Sequence, residues 1–582
     1  MNKKNKNIKN IKDLNEDIEN LDIKPIKPIK DTRVLVAIDF GTTYSGFAYV
    51  HKDNPENVVV NDSWPGKEGV SKAPTALQYD EKYNKVINWG YPALVEDLDE
   101  VSDDSEEQCP RPVELFKLHI SDLPENEKPW LPSKLNYKKA IEDYLTQMSN
   151  LIKKTLKKRW PTLIFPQQVD FVLTIPAEWP PHTTGIMREC AYKAGLITSF
   201  DSDHLDFTTE PEAAALHCLT VVNQHNLRPR DSFLVADCGG GTVDLTSRKL
   251  LPGGLLSEIT ERAGYLCGST FVDKEFLSWL GRRVGFQALE KFKSNCYGQM
   301  QYLVQRFFCT RIKFKFSGEP TEYRTIKLNL QQYDLPKYVT GEHRKKMEEA
   351  GWVLKIDFNS VKEIFDPVID QIIKLINDQL NFSNEKCTAI FLVGGFSESP
   401  YLLRRVKETF KYRVPITAAP AIPIAAIVRG AIMYGLNPNI IRDRVLKWTY
   451  GIGVCRKWVD GKDDINRRTA DGLIFYFYEL AKRGKKVEVN QKFWEEFLPI
   501  RSNQNVASFN IYYTPKHNAK YCNEPEMKQL GTLRIVRSNN ERSGINKRIE
   551  FSLTFGRMEI KATAKNKETG KIYNETTFIL DI

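Results

Sequence analysis

The stretch Phe233-Leu-Val-Ala-Asp-Cys-Gly-Gly-Gly-Thr-Val-Asp244 leaves the chain few ways to fold. Its first four residues are apolar and read as a short buried strand. The strand ends on a carboxylate, Asp237, and a second, Asp244, closes the stretch. Between them stand Gly239, Gly240, Gly241 and Thr242. Consecutive glycines let the backbone turn tightly and leave its N–H groups uncovered. A row of such groups cradles an anion. A Cβ at Gly240 would clash if the turn gives that residue a positive φ. The two aspartates suit a hydrated Mg²⁺, which keeps waters and takes few carboxylates. Read alone, the same residues also make an ordinary Gly-rich turn.

The plan recurs. Val34-Leu-Val-Ala-Ile-Asp39-Phe-Gly41-Thr42-Thr43-Tyr44-Ser-Gly46 is again an apolar strand, an Asp, and a turn of Gly and hydroxyl residues. Ala389-Ile-Phe-Leu-Val-Gly394-Gly395-Phe-Ser397-Glu-Ser-Pro400 is a third strand, a Gly pair and a helix start. Each motif is weak alone; in this order they form one joint signal for phosphate binding. None fits G-x-x-x-x-G-K followed by Ser or Thr, so the solution is a different one.

The three motifs resemble the two phosphate loops and the adenosine loop of the actin-like ATPases. Within that group the chain is most similar to the seventy-kilodalton heat-shock protein family. Thr174-Ile-Pro-Ala177 and Thr209-Glu210-Pro211-Glu212-Ala-Ala-Ala215 fit that family's strand-end and connecting-helix signatures. Ala426-Ile-Val-Arg-Gly430-Ala431 fits its second connecting helix, where a Gly-Ala pair permits close approach. Phe396 and Glu398-Ser-Pro400 resemble its divergent member-twelve branch. The resemblance covers residues 32–440 well and the remainder more loosely.

This resemblance implies a two-lobed actin-like (ribonuclease H-like) α/β ATPase domain that binds ATP and ADP with Mg²⁺. It also implies roles for single residues. Asp39, Glu210, Asp237 and Asp244 form the catalytic centre. Asp39, Asp237 and Asp244 hold the Mg²⁺ through water, and Glu210 stands beside the metal and its waters. Gly41, Thr42, Thr43, Tyr44, Gly239, Gly240, Gly241 and Thr242 meet the phosphates, with Gly268 near them. Lys313, Gly394, Gly395 and Ser397 serve the adenosine end.

The pattern also breaks. In the common chaperones a catalytic lysine follows Gly-Asp-Ala-Ala. The matching stretch here, Gly90-Tyr-Pro-Ala-Leu94, puts an apolar residue in its place. Lys117 on a neighbouring loop is a candidate replacement. Of the trio that grips the adenosine only Lys313 is kept, with Thr310 and Phe314 in the other places. Nucleotide binding with slow hydrolysis to ADP and phosphate is the expectation.

At 582 residues the chain is too long for one ordinary core. Its net charge of +10, from 84 basic and 74 acidic residues, is spread too thinly to argue for nucleic acid. No apolar run is long enough for a membrane span, and the polar, Lys-rich start shows no signal-peptide pattern. Ten scattered cysteines without a C-x-x-C pair fit reduced thiols and a cytoplasmic location. Cys238 reads as a small residue filling its turn rather than as a redox handle.

Residues 1–31 are rich in Lys and Asn and read as a disordered tail. Residues 32–440 alternate strands and helices, with carboxylates at strand ends where open α/β sheets bind ligands. Within them, 96–107 reads as an acidic surface loop and Tyr137 to Trp160 as an amphipathic helix. Residues 441–447 read as a linker. Val445 and Leu446 resemble apolar residues that dock on the ATPase domain in one state. From 448 to 582, short strand-like runs such as Ile549 to Phe555 suggest a β-sandwich. Met558 to Ala564 alternates as a half-buried strand should. This part resembles the family's substrate-binding β-domain, without its helical lid.

Three readings of function follow. The first is an atypical ATP-dependent chaperone whose nucleotide state controls its hold on unfolded or extended client polypeptides. A co-chaperone or nucleotide-exchange factor would be a further partner. The second is a nucleotide-gated binding or signalling module with negligible turnover. The third is an actin-fold small-molecule kinase, which would have no need of the β-rich tail.

Overall fold

The structure, a computed structural model, describes residues 31–94, 111–121, 123–177, 179, 183–383, 385–498, 506–536, 548–555 and 558–577. The tail up to residue 30 and the acidic stretch 96–107 lie outside the described residues.

Two mixed sheets are built on one plan. In the first, β1 (Val34–Asp39) and β2 (Tyr44–His51) form a hairpin, and β3 (Val59–Val60) and β4 (Ala73–Pro74) add to β2. Helix α1 (Tyr137–Arg159) precedes β5 (Val169–Ile175), and helix α2 (Thr183–Lys193) precedes β6 (Leu205–Thr209). β6 runs directly into helix α3 (Glu210–Val222). The strand order is β6-β5-β1-β2-β3, with β5 parallel to β1 and β6 parallel to β5. The second sheet repeats this with the hairpin of β7 (Ser232–Cys238) and β8 (Val243–Leu250). β9 (Leu256–Glu258) and β10 (Ala263–Tyr265) pair with β8, and helix α4 (Ser269–Val284) follows. After helix α5 (Phe358–Phe382), β11 (Cys387–Val393) lies parallel to β7, and β12 (Ile416–Ala418) parallel to β11. Helix α6 (Ala426–Leu436) ends this second unit as α3 ends the first. β1 and β7 are buried along their whole length. Their unbroken apolar runs follow from cover on both faces.

Helices α3 and α6 share one core with both sheets. Ala213 to Leu216 and Ala426 to Val428 pack with Leu35, Ala37 and Val172 on one side and Val235 and Phe391 on the other. A Cβ on Gly430 would land on the Ala213 carbonyl, so the crossing needs glycine there. In α1, Ile141, Leu145, Met148, Ile152 and Leu156 are buried on one face, as their spacing predicts.

The expected linker is a strand over most of its length. β13 (Ile441–Val445) pairs in parallel with β9 and antiparallel with Lys486–Glu488. Beyond it come β14 (Thr449–Lys457), β15 (Leu473–Ala481), β16 (Lys492–Phe497), β17 (Val506–Thr514), β18 (Lys528–Val536), β19 (Ile549–Thr554), β20 (Lys561–Asn566) and β21 (Ile572–Thr577). They form two antiparallel sheets, β15-β14-β17-β18 and β16-β19-β20-β21. Ile452, Ile511, Leu533, Phe551 and Ala562 fill the core between them. Leu446 belongs to this core, so it is not an apolar hook on the preceding sheets. The alternation that begins at Met558 becomes a strand only from Lys561, with Ala562 and Ala564 buried. No helix among the described residues is long and apolar enough to cross a membrane.

Candidate functional site

β1 ends on Asp39, β7 carries Asp237 one residue before its end, and the turns that follow interlock. A Cβ on Gly240 would strike the Thr43 side chain, and one on Gly241 would come within 2.9 Å of Thr42 Oγ1. Gly240 does not have a positive φ; room for Thr43, not its own dihedral, demands glycine there. The start of α4 covers the second turn. The N–H groups of Gly268, Ser269 and Thr270 donate to the carbonyls of Gly241, Gly239 and Gly240 at 3.1, 3.0 and 2.9 Å. Two expected phosphate donors are engaged inside their turns. Gly41 N–H donates to Ser45 Oγ at 3.1 Å, and Gly239 N–H to the Thr242 carbonyl at 3.0 Å. Gly240 and Gly241 keep N–H groups with no hydrogen bond among the described residues.

Four carboxylates gather behind these turns, and Asp39, Glu210, Asp237 and Asp244 are all buried. The β7–β8 register sets Asp237 opposite Asp244. Thr174 Oγ1 donates to Asp39 Oδ1 at 3.3 Å, and Ala177 N–H to Asp244 Oδ1 at 3.1 Å. The end of β5 therefore touches both turns. Two ammonium groups enter the cluster: Lys72 Nζ lies 2.6 Å from Asp39 Oδ2, and Lys117 Nζ 2.7 Å from Glu210 Oε1. Burial pushes the Asp237 carboxyl well above the ordinary range, and Glu210, Asp244 and Asp39 push it further against the pull of Lys72. Burial likewise raises Glu210, against Lys117. Burial alone would lower Lys72, but the carboxylates around it, Asp39 first, raise it.

These lysines change the picture drawn from Leu94. The cations reach the cluster from positions 72 and 117 instead. Lys117 comes from the short 3-10 turn Phe116–Ile120. Lys72 was not foreseen, because no motif marks it. Its one trace in the chain is Gly46, which faces Asp39 across the β1–β2 hairpin. A Cβ there would lie 2.8 Å from the Ser71 carbonyl oxygen and 3.0 Å from Lys72 Cγ, so glycine lets the 71–72 backbone and the lysine stem come close.

β11 delivers the third loop. Gly394 has φ +83°, and a Cβ on it would strike Asp237 Oδ1. Gly395 faces open space, its nearest such neighbour being Ile424 Cδ1 at 4.0 Å. Ser397 is buried and donates to the Val393 carbonyl at 2.5 Å, which holds the loop. Lys313 ends a π-helical segment, Leu303–Lys313, and gives its ammonium to both carboxylate oxygens of Asp273 at 2.9 Å. Tyr44 lies on that side too: burial raises its phenol, and Cys309, Glu114 and Asp273 add to the effect. Thr310 Oγ1 is turned back to the Gln305 carbonyl. A cleft of about 690 Å³ opens onto Thr42, Thr242, Lys117 and Pro176, walled by Trp179 and Phe271.

Among the described residues, no three His, Cys, Asp or Glu side chains converge as direct ligands of a metal. The donor set still fits a hydrated cation. Four carboxylates face two ammonium groups, so the ionised cluster is negative. Asp237 Oδ1 is buried with no hydrogen bond among the described residues. It is an acceptor available to a water carried by the ion.

Residues 226–418 match a family described as Domain of unknown function (DUF8340). The chain is 29% identical to Heat shock 70 kDa protein 12A of Mus musculus, across 92% of this chain and 90% of that protein. It is 25% identical to Heat shock 70 kDa protein 12B of Homo sapiens, again across 92% and 90%. It is 23% identical to Chaperone protein HscA of Buchnera aphidicola, over 69% of this chain and 70% of that one. The chain is thus similar to the 70 kDa heat-shock proteins, and its matches to 12A and 12B run through nearly its whole length.

Proposed function

We propose that this protein is an atypical heat-shock-type chaperone. Its actin-like, two-lobed part, residues 32–440, binds ATP or ADP with Mg²⁺ and hydrolyses ATP slowly. Its β-sandwich holds extended polypeptides, and nucleotide state sets how tightly. The observation that carries this reading is the meeting of two strand-end aspartates, Asp39 and Asp237, at turns interlocked through Thr43 and Gly240. Thr42, Thr43 and Thr242 would donate hydroxyls to phosphate oxygens, and Gly240 and Gly241 their N–H groups. Asp39, Asp237 and Asp244 would hold waters of the Mg²⁺. Gly394 and Gly395 would let the nucleoside lie against bare backbone. Bound Mg²⁺ supplies neutralisation of charge on the transferring phosphate. Slow turnover is supported by the 2.7 Å pair of Lys117 with Glu210. That pair engages the cation that would otherwise stand in for the lysine missing at position 94, leaving less of its charge for the transferring phosphate. Relatives that carry the word chaperone in their names, HscA and DnaK, support the client-binding half.

Equilibrium titration with ATP and ADP, followed by single-turnover hydrolysis, tests the reading. Both nucleotides should bind, and phosphate should appear slowly. Asp237→Asn should weaken binding by about tenfold or more, since hydrogen bonds to charged groups contribute roughly 1.5–3 kcal/mol. Absence of saturable binding of either nucleotide to the folded chain would overturn the proposal.

A further inference from the structure

We propose that Lys72 is a built-in counter-ion that does part of a metal's work, so that nucleotide binding here depends only weakly on divalent cations. The inference rests on the nucleotide reading above. Lys72 precedes β4, whose residues Ala73 and Pro74 pair with Ser45 and Tyr44 of β2. That pairing anchors the lysine backbone beside the first turn. Tyr91 Oη donates to its carbonyl at 3.2 Å, a second anchor. The stem lies on Gly46, the residue opposite Asp39 in the hairpin. The ammonium is thereby brought to 2.6 Å from Asp39 Oδ2, with the side chain 9% exposed. Asp237 and Glu210 are close enough to add to its charge balance.

This placement has a direct chemical consequence. Asp39 is one of three carboxylates expected to hold the metal's waters, and its Oδ2 is already neutralised. An ammonium carries three N–H donors. The ammonium faces Asp39 as an ion pair, and its donors can also meet phosphate oxygens on the same turn. A cation fixed by its own chain also does not dissociate when free metal is low. The energetic role of a magnesium ion, to screen phosphate charge beside buried carboxylates, is then shared between Lys72 and whatever ion is present.

Calorimetric titration of ADP and ATP into the full chain, in excess Mg²⁺ and in EDTA, tests this. The parent protein should lose less than tenfold in affinity when EDTA replaces Mg²⁺. Lys72→Met should lose more than tenfold in EDTA relative to Mg²⁺. Lys72→Arg, which keeps the charge, should keep the weak dependence. A parent that loses tenfold or more in EDTA overturns the inference and leaves the nucleotide reading standing. Equal metal dependence in the parent and a folded Lys72→Met variant also overturns it. Should Lys72→Met fail to fold, the parent and Lys72→Gln decide by the same criterion. No binding by the parent under either condition fells the nucleotide reading itself.

Discussion

In the acid cluster, neither ammonium group pairs with Asp237 among the described residues. Asp39 and Glu210 each have an ammonium partner, whereas Asp237 Oδ1 is buried without a hydrogen bond among the described residues. A buried polar group left unpaired costs roughly 1–3 kcal/mol. Asp237→Asn removes the charge that burial penalises. It should leave the nucleotide-free protein at least as stable as its parent while weakening Mg-nucleotide binding. Thermal melts with and without Mg-ATP read both effects; a variant less stable than its parent when ligand-free would contradict the account. Asp39 and Asp237 were legible in the sequence because an acid at the end of an apolar strand has a local signature. Lys117 was legible as a candidate cation for the site, though not as the partner of Glu210, and Lys72 was not legible at all. Each meets its carboxylate across a fold, and a lone lysine in a loop ordinarily reads as a solvated surface charge. Gly240 was legible as indispensable but for another reason, since the side chain that fills its space belongs to the other turn.

Helix α3 and strand β13 form the element on which two parts of the molecule meet. The first turn of α3 carries two acids with separate partners. Glu210 pairs with Lys117, while Glu212 binds Arg444 of β13 at 2.7 and 2.8 Å and lies 3.3 Å from Arg248 of β8. Arg248 is in turn 3.1 Å from Glu258 of β9, whose carboxylate accepts Val445 N–H at 2.7 Å. Ile-Arg-Asp-Arg-Val reads as an exposed linker because its charges have no visible partners in the sequence. Asp443 and Arg444 find theirs at 257, 258 and 212, far along the chain, and Arg442 meets Glu488. Removing one member of a buried ion pair strands the other and costs roughly 3–5 kcal/mol. Arg444→Ala should therefore lower the urea midpoint and speed hydrogen exchange across 441–445 and 256–258. Replacing both partners, with Glu212→Gln and Arg444→Met, should recover much of that loss. An Arg444→Ala protein as stable and as protected as its parent would show that β13 is held by other contacts. The pH dependence has a definite sign. Burial alone would raise the Glu212 carboxyl, but Arg444, then Arg248 and Arg262, hold it down at about 2 against an ordinary 4.5. Its contribution is full above pH 4.5 and is lost as pH falls towards 2. Over that window β13 should loosen in the parent, and much less so in the double variant.

At the scale of the whole molecule, the β-sandwich is joined to both sheets, and each joint leads back to the acid cluster. On the second sheet the route is β13 and α3. On the first sheet, Arg188 of α2 grips both carboxylate oxygens of Glu559 at 2.7 and 2.8 Å, and Met558 packs against that sheet's core. α2 follows β5, and Ala177, just past the end of β5, gives its N–H to Asp244. A ligand at Asp244 can therefore bias the Arg188–Glu559 joint, provided the joint differs between two states. Glu559→Gln is the variant that isolates it. Arg188 also donates to the Ser202 and Leu205 carbonyls at 2.9 and 2.8 Å, so truncating the arginine would loosen α2 itself. Leu446 is unsuitable for the same reason, since it lies in the sandwich core. The measurement is the affinity of a labelled extended peptide for the full chain with ATP, with ADP and without nucleotide. Coupling between sites typically changes affinity about 5–150-fold. The parent should show a nucleotide-dependent difference in that range, and Glu559→Gln should shrink it several-fold with both parts still folded. An unchanged difference in the variant would assign the coupling to the second-sheet joints, β13 and the Arg483–Glu261 pair. No difference in the parent would leave the sandwich uncoupled, and the protein a nucleotide-binding scaffold rather than a chaperone.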